Sequence, residues 1–138
     1  MRTSLKSQVS VEYMLIMGFV AIMTIPLIIL FYTYVSDSSD KIIVSQTIRI
    51  ANKIVDSAES VYFLGEPSQT TVKVYIPDKI VGASLDNREV QFNVSTKSGV
   101  SQIVQVSSVN LTGYLPIKQG TYSITLKRSE LSVDISYK

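Results

Sequence analysis

The sequence predicts an α+β protein: a long N-terminal α-helix, apolar in one half and amphipathic in the other, packed on a small antiparallel β-sheet or sandwich head. Three observations carry that expectation. Residues 13–36 contain no charged side chain. Residues 40–64 repeat apolar side chains at helical spacing, and beyond Pro67 the pattern changes to alternation with period two. The chain therefore divides into a short basic leader (1–7), an apolar helix (8–36), an amphipathic helix (37–66) and a β-rich head (67–138).

The apolar run is long enough to cross a bilayer, since about 20 residues at 1.5 Å rise span roughly 30 Å of hydrocarbon. Glu12 stands immediately before it. A charge deep in a membrane costs roughly 2.5–3.5 kcal/mol on insertion scales, so a carboxylate at this position calls for a partner. Arg2 and Lys6 are the charges upstream of Glu12, and both are positive. A basic flank is retained in the cytoplasm, so the far end of the segment is expected outside. No small-residue cleavage pattern follows the run, because residues 31–35 are aromatic or bulky. The apolar segment is therefore expected to stay attached. Pro26 lies inside it, lacks an N–H and crowds the Ile22 carbonyl, so a disturbance of the helix is expected there.

The stretch Lys6-Ser7-Gln8-Val9-Ser10-Val11-Glu12-Tyr13, followed by an apolar helix, resembles the class III signal peptide of archaeal type IV pilins. The resemblance covers about the first 35 residues, and it rests on a Gln-x-Ser-x-Glu-Tyr pattern with a lysine upstream. It implies that a membrane prepilin peptidase cuts between Ser7 and Gln8, removing the leader and keeping the helix. One departure is Ser7, where the family most often has glycine. The resemblance further implies assembly roles for Gln8, Glu12, Tyr13 and Pro26. Cleavage would give Gln8 an α-amino group, with an ordinary pKa of about 8, as the partner for Glu12 of a neighbouring subunit. Cyclisation of Gln8 to pyroglutamate would remove that cation. Pro26 is read either as a transmembrane kink or as a segment that melts during assembly. An assembly ATPase and a platform protein are implied as partners, and a homo-oligomeric helical filament as the product.

In the second half of the helix, Val44, Ile48, Ala51, Val55, Ala58 and Tyr62 form one stripe, widened by Ile43, Ile50, Ile54 and Val61. Arg49, Asn52, Lys53, Asp56 and Glu59 fall opposite. The polar stretch 36–40 either interrupts the helix or faces water. An unbroken helix of about 55 residues would be near 80 Å long. Gly65, Glu66 and Pro67 are expected to end it, glycine supplying the left-handed cap.

Strands are expected at 72–76, 90–94, 101–109, 122–126 and 131–137, with a weaker one at 80–85. Turns are marked at 86–87, 97–99, 118–120 and 127–130. Five or six short strands are too small a core alone, so the helix is expected to complete it. Asn93-Val94-Ser95 and Asn110-Leu111-Thr112 are glycosylation sequons, and Asn93 is expected to face solvent opposite Phe92 and Val94.

Composition narrows the function. With 13 basic and 11 acidic residues in 138, the net charge is +2. That is too small and dispersed for a nucleic-acid surface. Cysteine and histidine are absent, which removes disulfides, Cys–His and Ser–His–Asp catalysis and most zinc chemistry. The six glycines are scattered and form no phosphate loop. No enzyme activity and no cofactor are expected. The expectation is a structural subunit of a cell-surface filament used for adhesion, inserted in the membrane before assembly with its N-terminus cytoplasmic. The alternatives are a single-span membrane-anchored extracellular binding module and a minor pilin that primes or caps filaments.

Overall fold

A computed structural model describes residues 3–138, with side chains at 9–35 and 37–138. Among the described residues the chain forms one helix, α1 (Thr3–Leu64), and seven strands. These are β1 (Gln69–Ile76), β2 (Ile80–Asp86), β3 (Glu89–Thr96), β4 (Gly99–Val106), β5 (Asn110–Gly113), β6 (Gly120–Arg128) and β7 (Ser132–Tyr137). The chain falls into two units, Met1–Ser38 and Ser39–Lys138.

In the first unit the backbone is helical throughout its described residues. The helix continues through Pro26. The proline forfeits one N–H bond, and the i→i−4 bonds before and after it keep the chain helical. The Thr33 hydroxyl donates to the Ile29 carbonyl at 3.1 Å, so this polar side chain is satisfied within its own helix. The polar stretch 36–40 is helical as well.

In the second unit the helix buries Ile43, Thr47, Ala51, Ile54, Val55, Ala58 and Val61. Val44, Ile48, Ile50 and Tyr62 flank this face, half-buried. The buried face is thus rotated slightly from the expected stripe, because a polar residue, Thr47, lies at its centre. Its hydroxyl donates to the Ile43 carbonyl at 2.8 Å, which lets it sit in the core at no hydrogen-bonding loss. Ala51 and Ala58 leave room for strand side chains to approach the helix.

Two sheets supply those side chains. One has the order β1-β6-β7-β5, the other β2-β3-β4. The alternation expected in the sequence is clearest in β3, where Val90, Phe92 and Val94 are buried and Gln91 and Asn93 are not. Ile124 and Leu126 of β6, Val133 and Ile135 of β7 and Ile76 of β1 complete the core. The helix ends as expected at Gly65, whose φ of 88° is the left-handed conformation that closes a helix.

Two strand expectations need correction. The strand expected over 101–109 stops at Val106, and a seventh strand, β5, follows. β5 runs parallel to β7, whereas the other strand pairs among the described residues are antiparallel. Four residues with one buried apolar side chain are too few to show alternation. Gly113 permits the pairing: its φ is 117°, and a Cβ there would collide with the Ile135 carbonyl oxygen. The turn expected at 127–130 also moves, since Lys127 and Arg128 still pair with Asp134 and Val133.

The helix face is testable through two isoleucines. Ile54 is 0% exposed and Ile42 57%. Ile54→Ala is expected to lower stability by about 2–5 kcal/mol, and Ile42→Ala to change it by no more than about 0.5 kcal/mol. Urea unfolding of the full chain in detergent, followed by circular dichroism, checks both. Equal shifts would contradict the assigned face.

Candidate functional site

The first unit presents one surface. Every described side chain from Val9 to Val35 is exposed, including Met14 (72%), Ile22 (70%) and Tyr32 (72%). A soluble monomer rarely shows a contiguous apolar patch above a few hundred Å². This segment of helix is long and apolar enough to cross a membrane. Glu12 and Tyr13 lie at its N-terminal end, both exposed. Among the described residues the sole salt bridge joins Lys79 to Asp40, so the Glu12 carboxylate has no cationic partner among them. Lys6, Ser7 and Gln8, on which processing would depend, have side chains outside the described residues.

The second unit is tied together by polar contacts that the sequence did not reveal. Asp40 is buried and accepts twice: from Lys79 Nζ at 2.8 Å and from the Lys97 backbone N–H at 2.9 Å. Lys79 lies between β1 and β2 with a φ of 66°, and Lys97 lies between β3 and β4. The Lys79 hydrogen bond, followed by that of Lys97, holds the Asp40 carboxyl below its ordinary pKa. The same Asp40 bond raises Lys79.

Glu59 accepts from both the backbone N–H and the hydroxyl of Ser108, at 2.8 and 2.9 Å. Those bonds, the backbone one foremost, lower its pKa. Near the C-terminal end of α1, the Arg128 guanidinium lies 4.6 Å from the Tyr62 ring centroid and donates through Nη1 to the Tyr62 carbonyl. A cation there complements the helix dipole and occupies one of the terminal carbonyls.

Asp40 and Glu59 are thus carboxylates engaged by the head and not free surface charges. A signal for Asp40 was available. It precedes Ile43, Thr47 and Ala51 by three, seven and eleven residues, which places it on the buried face. No sequence signal identifies Lys79, Lys97 or Ser108 as its or Glu59's partners. Asn93 lies on the face of β3 opposite the buried Phe92 and Val94, as expected, and is half-buried there, whereas Asn110 is exposed at the start of β5.

A groove of about 300 Å³ is lined by Arg49, Lys53, Lys73 and Tyr75 among others, with no carboxylate. Lys53 Nζ donates to the Lys73 carbonyl at 3.1 Å beside it. The groove offers cations but no paired acid and base. Among the described residues no three metal-ligating side chains gather. No protein-family model, curated protein or solved structure matches the chain.

Asp40 and Glu59 make stability pH-dependent in a defined direction. A carboxyl with a lowered folded-state pKa stabilises fully above its unfolded value and loses that contribution as pH falls through the folded one. The contribution is therefore complete above about pH 5 and is lost as pH drops below about 4. The raised Lys79 value adds an alkaline limb: its contribution is complete below about pH 10 and is lost as pH rises through the raised pKa. Thermal midpoints of the full chain in detergent, measured from pH 7 to pH 3, are expected to fall less steeply for an Asp40→Asn, Glu59→Gln double variant. An unchanged acid limb would remove these carboxylates from the account.

Proposed function

We propose that the chain is a subunit of an extracellular filament of the type IV pilus class. In this reading it is inserted in the membrane as a precursor, cut between Ser7 and Gln8, and assembled through its N-terminal helix. The observation that carries the reading is the full exposure of residues 9–35 beside one carboxylate, Glu12. Nothing within Met1–Ser38 besides the helix itself contributes to covering that surface among the described residues. Lipid covers it before assembly, and copies of the same helix cover it afterwards.

Transfer from lipid to a helical bundle gains little hydrophobic free energy, so association rests on packing and polar contacts. A Glu12 carboxylate meeting the Gln8 amine of a neighbour fixes which residues face each other. Losing one member of such a buried pair costs roughly 3–5 kcal/mol, because the other is stranded. The head, displayed outward, serves adhesion. Partners are further copies of the chain, a prepilin peptidase, an assembly ATPase and a platform protein; nucleic acid has no place in the scheme.

Mass determination on protein from sheared cell-surface material tests this reading. The expected mature chain begins at Gln8, and Glu12→Ala is expected to abolish filaments seen by electron microscopy while leaving the protein in the membrane. A chain that keeps its first seven residues and purifies as a solitary species would instead identify a membrane-tethered binding module. Filaments in which the chain is a trace component would identify a minor pilin that primes or caps them.

A further inference from the structure

The sequence offers two acceptors for N-linked sugar and no means of choosing between them; their places in the head do choose. In both, the asparagine and the hydroxyl residue two positions on share one face of a strand. The residue between them, Val94 or Leu111, is buried in the core.

Asn93 is central to β3, itself the middle strand of its sheet, and its register partners are Gly82 on β2 and Gln102 on β4. The acceptor nitrogen, Nδ2, lies 3.2 Å from the point that a Cβ on Gly82 would occupy. It therefore rests over the β2 backbone. Both flanks of the sequon are held in ladders, and Ser95 N–H also donates to the Lys79 carbonyl at 2.8 Å. A transferase cannot draw this sequon into a cleft without opening the sheet.

Asn110 is the first residue of the four-residue strand β5, which stands last in the order β1-β6-β7-β5. Asn110 and Thr112 are both exposed. Their sequon is paired with β7, Leu111 N–H donates to the Asn87 carbonyl, and the Thr112 hydroxyl donates to the Val133 carbonyl at 3.4 Å. Freeing it therefore opens one short edge strand and not the middle of a sheet. Arg88 Nε donates to Asn110 Oδ1 at 3.2 Å, which turns the carboxamide so that its oxygen faces Arg88 and its nitrogen is left for a donor sugar. Both side chains of that bond are exposed, so releasing it inside an enzyme costs little.

We infer that Asn110, and not Asn93, is a site of N-glycosylation of the folded head. The inference rests on the reading that the head lies outside the cytoplasm. The donor class is a saccharide linked through phosphate to a polyisoprenoid lipid. Asn110 Nδ2 attacks the anomeric carbon, forming the C–N bond as the bond from that carbon to the phosphate oxygen breaks. The lipid phosphate leaves with the electron pair, and Nδ2 gives up one proton to a carboxylate of the transferase. Nothing is oxidised or reduced.

Trypsin separates the two sites, since cleavage after Arg88, Lys97 and Lys118 places Asn93 on peptide 89–97 and Asn110 on peptide 98–118. Mass spectrometry of protein from cells that make it naturally is expected to show sugar on 98–118 and a bare 89–97. Thr112→Ser should keep the modification and Thr112→Ala should remove it. Sugar on 89–97, or two bare peptides, overturns the assignment. Protease added to intact cells distinguishes the two levels of failure. Bare peptides from a head that protease reaches sink this inference alone, and a head that stays protected sinks the underlying reading with it.

Discussion

Apolar surface that the chain's own fold leaves uncovered is the constraint on which the rest depends. Between Asp40 and Leu64 the helix lays its apolar face on strands of the same chain, and side chains such as Ile54, Ala58 and Val61 leave water completely or nearly so. Between Val9 and Val35 every described side chain is exposed. Burial of apolar surface is worth about 25 cal/mol per Å², so a segment this apolar does not persist in water. In the proposed filament reading a bilayer removes that difficulty and, in doing so, removes most of the hydrophobic drive for helices to associate. Few polar groups then decide geometry. In this stretch the one charged group is Glu12, with Gly18 as a point where a Cβ would meet nothing within 4 Å.

The head follows a different rule. Its helix is held at one end by Asp40, toward the other by Glu59 and Arg128, and in between by an apolar core. Each polar contact reaches a loop or strand distant in sequence, so the contacts fix how the helix lies on the sheets while the core supplies most of the free energy. Thr47 shows the economy of the arrangement: a hydroxyl enters the core only where its own helix accepts its proton. The buried Arg128 Nε is the exception, without a partner among the described residues. Its charge is instead met by the Tyr62 ring and carbonyl.

What could be read from the sequence was local. Val90, Phe92 and Val94 alternate with polar neighbours and are buried, and Gly65 ends the helix through the one backbone conformation that favours it. What could not be read was non-local. The parallel pairing of β5 with β7 joins segments more than twenty residues apart, and four residues carry no period of their own. Asn93 alternates correctly, yet its exposure is set by β2 and β4 on either side and not by β3. Of the candidate residues, Glu12 and Tyr13 fall on the exposed helix as their flanks suggested. The place of Asp40 on the buried face was legible from its spacing, but the partners of Asp40 and Glu59 were not, because they are supplied by loops that periodicity does not describe.

The Asp40 clamp also joins parts of the head that are far apart in sequence. It stands near the start of the amphipathic half of the helix, and it grips two separate turns at once through its two oxygens. One side chain thus ties the β1–β2 turn and the β3–β4 hairpin to a single point of the helix, three residues ahead of Ile43, where the apolar contact with the sheets begins.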